Sequence, residues 1–227
     1  MKKNIVKSVT AYQMIRDGIL SGEYLPGSRL VLADLQKKLG LGQGPVRDAL
    51  MRLDRSGLVE NIPFKGAVVS APPSLEEMAT IYQTRKLVET QMALAAAKKM
   101  TAPTLKQLTK LVANSRKDID EAQKFFWHDR TFHLSWYAVA DMPHVLDIFG
   151  HLNDHVDTFL NTHTYDYEYR KQSIEHHEEI LVALKNHDIA TIENILHSNI
   201  QLGFNYVQGQ IPVTPDDEKE LSDSRRN

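Results

Sequence analysis

Gly44-Pro45-Val46-Arg47-Asp48-Ala49-Leu50-Met51-Arg52-Leu53-Asp54-Arg55-Ser56-Gly57-Leu58-Val59 decides how this chain is organised. Val46, Leu50 and Leu53 recur at helical spacing and form an apolar stripe, while Arg47, Met51, Arg52 and Arg55 fall elsewhere on the wheel. The segment reads as a short helix with one face to bury and one basic face to offer. Gly44 stands where a cap belongs, and Pro45 suits the first helical position, where a missing N–H costs nothing. Gly57 can close the far end.

Upstream, Leu30 to Leu39 forms a second short helix with Leu32, Leu35 and Leu39 inward, and Gly40-Leu41-Gly42-Gln43 supplies a tight turn. Val6, Val9, Met14, Ile15, Ile19 and Leu20 mark a first helix that ends near Ser21-Gly22. Downstream, Leu58 to Ile62 and Ala67 to Val69 are short β-branched runs joined by Pro63-Phe64-Lys65-Gly66, which predicts a two-stranded wing with a basic glycine tip. Residues 1–70 are therefore expected to form a winged helix-turn-helix of the DNA-binding kind.

Charge and composition agree. Residues 1–70 carry eleven Lys or Arg against six Asp or Glu, whereas the remainder carries sixteen against twenty-three, so only the first part suits phosphates. The absence of cysteine excludes disulfides, thiolate zinc sites and a cysteine nucleophile. No run approaches the length of a membrane span, and Met1-Lys2-Lys3-Asn4 is not followed by a secretory apolar core, so no membrane partner and a cytoplasmic location are expected. Phosphate-binding glycine loops, Gly-x-Ser-x-Gly elbows and His-Glu-x-x-His motifs are missing, and no enzyme is indicated.

Ala71-Pro72-Pro73 is a short stiff linker; it and Leu25 are the places where relative domain motion could be set. From Ser74 the pattern is helical: Ser74-Leu75-Glu76-Glu77 resembles a capping box opening a helix towards Met100, and further helices are expected over 101–119, 121–140, 142–162, 167–185 and 188–207. Residues 74–210 are thus expected to form an all-α six-helix bundle, and the polar tail 211–227 to be disordered. The fold class is mainly α.

All ten histidines lie between His128 and His197. Asp129 and His133, four apart, share one helix face, and both side chains can bind a borderline divalent cation such as zinc or nickel. The other histidines read as surface residues or polar partners. Trp127, Trp136, Phe159, Tyr165 and Tyr167 are candidates for a cavity wall, set against the commoner role of aromatics in a core.

Leu25-Pro26-Gly27, the Leu30–Leu39 helix, Gly44 to Leu50, Gly57-Leu58-Val59 and Lys65 to Val69 together resemble the GntR family of bacterial transcription regulators. Arg85-Lys86-Leu87-Val88-Glu89, Asp129 to His133 and His177 to Leu181 resemble the helical ligand-binding (FCD) domain of its FadR subfamily, the bundle's length favouring the six-helix, VanR-like branch. The resemblance implies a homodimer on a palindromic operator in double-stranded DNA and repression relieved by a small carboxylate effector. Where this family commonly carries serine, arginine and threonine before the Pro-Val-Arg, this chain has Gly42, Gln43 and Gly44. Arg47 is then the candidate for guanine or phosphate and Gln43 for adenine, while Gly44 approaches only by its backbone. Arg52 and Arg55 are placed for phosphates or solvent, and Lys65 and Gly66 for the minor groove or adjoining backbone.

In the metal-binding members His177 matches a third ligand, and a fourth histidine falls on Asn199 here. Either a weaker site of Asp129, His133, His177 and the Asn199 carbonyl survives, or the pocket works without metal. His197 does not substitute, because two residues along a helix turn it nearly to the opposite face. Arg85 is the candidate cation for the effector carboxylate, its rival role being a salt bridge to Glu89. Two other functions stand against regulation: a metal-dependent hydrolase on a helical bundle, suggested by His187-Asp188, and a protein-binding adaptor.

Overall fold

The computed structural model describes residues 2–62, 66–160 and 166–210. The chain begins with α1 (Lys2–Leu20), followed by β1 (Arg29–Leu30), α2 (Leu32–Leu39), α3 (Gln43–Arg55), β2 (Val59–Ile62) and β3 (Gly66–Val69). Ala11, Ile15 and Ile19 of α1 bury against Leu35 of α2 and Val46, Ala49 and Leu53 of α3. This apolar contact holds α3 at a fixed angle and leaves its opposite side outward. Gly40 takes the left-handed conformation (φ 64°) that ends α2, and Gly57 does the same (φ 76°) after α3, so both turns need a residue without a Cβ.

Two expectations are corrected here. The sheet has three antiparallel strands in the order β1-β3-β2, not two, because Arg29 and Leu30 pair with Val68 and Ala67. In addition, Gly42 rather than Gly44 is the N-cap of α3, which puts Pro45 at the third helical position. The first-turn N–H groups have no intrahelical acceptor, so Pro45 is equally tolerated there.

The second group of helices is α4 (Leu75–Lys98), α5 (Ala102–Lys117), α6 (Ala122–Ala138), α7 (Pro143–Leu160), α8 (Tyr167–Asn186) and α9 (Ile189–Gln210). Caps written in the sequence set several starts: the side chains of Ser74, Thr101 and Asp166 accept from the backbone N–H of Glu77, Thr104 and Tyr169. α4 packs against α6, α7 and α9, and α8 lies between α5 and α9. A second core of Met78, Met92, Phe125, Phe132, Trp136, Tyr137, Phe149, Ile174, Ile192 and Leu196 fills the bundle. Leu20, at the end of α1, belongs to this second core, and α1 also touches α7. Residues 211–227 lie outside the described residues, and with them the expectation of a disordered tail. No helix among the described residues is long and apolar enough to cross a membrane.

Candidate functional site: a nucleic-acid face and a polar cavity

On α3 the burial of Val46, Ala49, Leu50 and Leu53 turns Gln43, Gly44, Arg47 and Arg55 to the surface. A groove of about 380 Å³ runs between α3, the start of α2 and the sheet, with Arg29, Arg47, Met51, Asn61 and Gly66 along it. Arg29 and Asn61 were not singled out from sequence. Their signal is non-local, since they reach the groove only through sheet pairing. The backbone N–H of Asn61 donates to the Asp54 carboxylate at 3.0 Å, which ties the strand to α3. Arg52 is exposed, as both of its expected roles require, and its guanidinium also lies 4.3 Å from the Tyr12 ring centroid, on α1. Lys65 lies outside the described residues, and Gly66 is exposed at the start of β3.

Inside the bundle, five helices converge on a small polar cavity of about 30 Å³. It is lined by Tyr82 and Arg85 from α4, Asp129 and His133 from α6, Asn153 and Asp157 from α7, Tyr169 from α8, and Asn199 and Gly203 from α9. That space holds water or an ion with little rearrangement, and a larger ligand requires the helices to give. Among the described residues the aromatic wall is Tyr82 and Tyr169, and none of the predicted aromatics that is described lines it. Trp136 and Phe159 are in the core, Trp127 packs against it and Tyr167 is exposed, while Tyr165 is outside the described residues.

Asp129, His133 and His177 each bring one ligand atom within 4.8 Å of the others. His177 Nε2 is 3.1 Å from His133 Nε2 and 3.6 Å from Asp129 Oδ1. Ligand atoms about 3.3 Å apart are what a tetrahedral zinc with bonds of about 2.0 Å requires. The surroundings prepare these donors. Arg85 Nε donates to Glu89 (2.9 Å), and the Tyr137 hydroxyl donates to the other Glu89 oxygen (2.7 Å). That leaves the Tyr137 oxygen to accept from His133 Nδ1 at 3.1 Å, so the lone pair of His133 sits on Nε2, facing the cluster. His177 Nδ1 is buried without a partner, and because His133 Nε2 accepts, the 3.1 Å contact makes His177 Nε2 the donor in the metal-free site.

Electrostatics point the same way. Burial, with Arg85 adding to it, lowers His133 to about 3, and burial also holds His177 well below the ordinary histidine value. Both rings are neutral, the form that binds metal. The Asp129 side chain lines the cavity and is 28% exposed, and burial pushes its carboxyl up to about 7, against the lowering effect of a hydrogen bond from Ser173. Asp157 rises to about 6 by burial, with Arg130 opposing.

The fourth position is a hydrogen-bonded side chain rather than an imidazole. Asn199 Nδ2 donates to Ser173 Oγ (3.4 Å), which in turn donates to Asp129 Oδ1 (3.0 Å). Only the Asn199 carbonyl oxygen is left as a donor of electrons. His197 faces elsewhere, 2.9 Å from Thr90 Oγ1. Of the remaining described histidines, His128 pairs with Asp118 and His187 ends α8 in the left-handed conformation.

The family description "Bacterial regulatory proteins, gntR family" matches residues 7–69, and "FCD domain" matches residues 80–202. A protein of Streptomyces ambofaciens called an uncharacterized HTH-type transcriptional regulator in an unstable DNA locus is 24% identical over 198 residues, 87% of this chain and 83% of its own. The HTH-type transcriptional repressor RspR of Escherichia coli K12 is 24% identical over 195 residues, 84% of each chain. Among solved structures, E. coli McbR/YncC superposes with a TM-score of 0.83 at 22% identity, covering 90% of this chain and 98% of that one. A GntR regulator from Rhodococcus sp. RHA1 gives a TM-score of 0.76 at 17% identity, covering 91% and 100%. At these identities the structural likeness speaks for the fold.

Proposed function

Because this chain belongs to the GntR family of bacterial transcription regulators and carries their FCD domain, we propose that it is a repressor whose hold on DNA is released by a small carboxylate bound in the cavity. Its family and relatives are regulators, which removes the hydrolase and adaptor alternatives. The winged helix meets DNA and the bundle takes the effector. The proposal adds the particular residues and the sign of regulation.

The observation that carries this reading is the cavity, which Arg85 lines together with Asp129, His133 and Asn199. A divalent metal such as zinc or nickel fits the Asp129, His133 and His177 donors. Once bound, it supplies positive charge and open coordination positions for a carboxylate. Arg85 gives its Nε to Glu89 and also bonds to the Tyr82 hydroxyl, and as the arginine lining the cavity it is the candidate to meet a second carboxylate oxygen. Six helices from α4 to α9 fit the VanR-like branch of the FadR subfamily.

At the other end, Arg47 reads guanine or holds a phosphate, Gln43 reads adenine, and Arg55 and Lys65 meet the backbone. A homodimer presents two such faces to a palindromic operator. Such a regulator works in the cytoplasm, where the chromosome is.

Selection of binding sites from random duplexes, followed by anisotropy titration across salt concentrations, tests the reading. The expected result is a palindromic site bound with a steep salt slope and weakened by one of a panel of short mono- and dicarboxylic acids in the presence of zinc. Binding with no sequence preference would refute it.

A further inference from the structure

We propose that α7 carries the state of the cavity to the winged helix through a buried charge ladder, Asn153, Asp157, Arg130, Asp154 and Arg16; this rests on the ligand-regulated DNA binding proposed above. At the cavity end, Asn153 and Asp157 are both lining residues, and Asn153 Nδ2 donates to Asp157 Oδ2 at 2.8 Å. Arg130 joins two carboxylates, with Nη1 on Asp157 and Nη2 on Asp154 Oδ1 at 2.6 Å. At the outer end Arg16 of α1 grips Asp154 with both arms, Nε to Oδ2 at 2.7 Å and Nη2 to Oδ1. The side chains of Arg130, Asp154 and Asp157 are only 5%, 2% and 7% exposed.

The ladder couples its ends because Asp154 Oδ1 is shared between two arginines. A ligand that draws Asp157 or Asn153 towards itself weakens Arg130's hold on Asp157. Arg130 must then lean on Asp154, the oxygen that Arg16 also needs. With so little water present, the exchange is not screened.

The geometry gives α7 two sides. Asn153 and Asp157, four apart, face the cavity, whereas Asp154 and His155 face the winged helix. The His155 ring lies so near Gly57 that a Cβ there would sit 3.1 Å from Cε1, so the same turn of α7 also touches the corner between α3 and β2. Leu20 anchors the end of α1 in the bundle core, and Arg16 stands one turn earlier, where α1 can pivot.

Hydrogen exchange on the full chain, without DNA or effector, tests this as a double-variant cycle of Arg16→Gln and Asp157→Asn. Among the described residues no hydrogen bond joins Asp157 to α1 and its direct link to Arg16 is charge alone, yet Asp157→Asn should change exchange in residues 8–20 roughly tenfold, the factor set by about 1.4 kcal/mol. Arg16→Gln should do the same, and the double variant should go no further than Arg16→Gln alone. Unchanged exchange in α1 for Asp157→Asn, or effects that simply add, would overturn the proposal. If Asp157→Asn does not fold, Asn153→Ala perturbs the same end and is judged by the same criterion. Coupling found without selective DNA binding removes the regulator reading and leaves the ladder; additive effects beside intact DNA binding remove the ladder alone.

Discussion

Metal binding to the Asp129, His133 and His177 cluster should release protons in a pattern set by the burial of these three groups. In a flexible peptide with the same three ligands, the carboxylate near 3.9 is already ionised at pH 5.5 and both imidazoles near 6.5 are charged, so a bound metal displaces about two protons. Here the order is inverted, since His133 lies near 3, His177 is well below its usual value and Asp129 is near 7. At pH 5.5 both rings are neutral and Asp129 holds the one proton to be displaced. The count should be about one at pH 5.5 and fall towards zero above pH 7.5, with affinity weakening about tenfold per pH unit below 7. Calorimetry with zinc in buffers of different ionisation enthalpy measures the count directly. Asp129→Asn should abolish proton release and weaken binding. Two protons at pH 5.5 would mean that the histidines are charged in the fold, and the account of their burial would be wrong.

Other perturbations separate roles that look alike. Tyr137→Phe keeps every metal donor but removes the acceptor that fixes His133 with its lone pair on Nε2; zinc affinity by calorimetry should fall about 10- to 100-fold. Arg47→Ala should weaken operator binding by roughly 1–3 kcal/mol in an anisotropy titration and leave the melting temperature unchanged. Arg52→Ala should cost about 0.5–1 kcal/mol of stability through its lost contact with Tyr12, as read by denaturant unfolding. Glu89→Ala strands the buried Arg85 and should cost about 3–5 kcal/mol, whereas the double change Arg85→Met with Glu89→Leu should recover much of that stability without restoring effector response.

Local signals are legible in the sequence, and long-range pairings are not. The Ser74 cap is legible because a cap is a contact three residues long, and the periodicity of α2 and α3 needs only their own residues. Arg29 and Leu30 have no period of their own; pairing with Val68 and Ala67 makes them a strand. Gly42 and Gly44 are equally able caps, and Pro45 does not choose between them because the whole first turn tolerates a missing N–H. In the site, Asp129 and His133 are legible at i and i+4. Tyr137 continues the same face one turn later, yet a tyrosine on an apolar helix reads as core. The pairing of Arg130 with Asp154 and Asp157 joins α6 to α7 over more than twenty residues. Its one local trace is polar Asn153 and Asp157 on a stripe shared with Phe149, Val156 and Leu160.

The charges around the cavity decide the order in which ligands can enter. Asp129 and Asp157 line it beside a single arginine, Arg85, whose charge is already matched by Glu89, while Arg130 is matched by Asp154 and Asp157. A carboxylate arriving in the metal-free cavity would face two acids that are largely ionised above pH 7, with values of about 7 and about 6. In a space of low dielectric that repulsion outweighs what one shared arginine returns. A divalent cation on Asp129, His133 and His177 reverses the balance and leaves net positive charge facing Arg85's side of the cavity. Short carboxylates should therefore bind the zinc-loaded protein at least tenfold more tightly than the metal-free protein, and by linkage should tighten zinc by the same factor. Titration of one acid with and without zinc measures both. Equal affinities would show that the carboxylate rests on Arg85 alone and that the acids across from it do not act on the ligand.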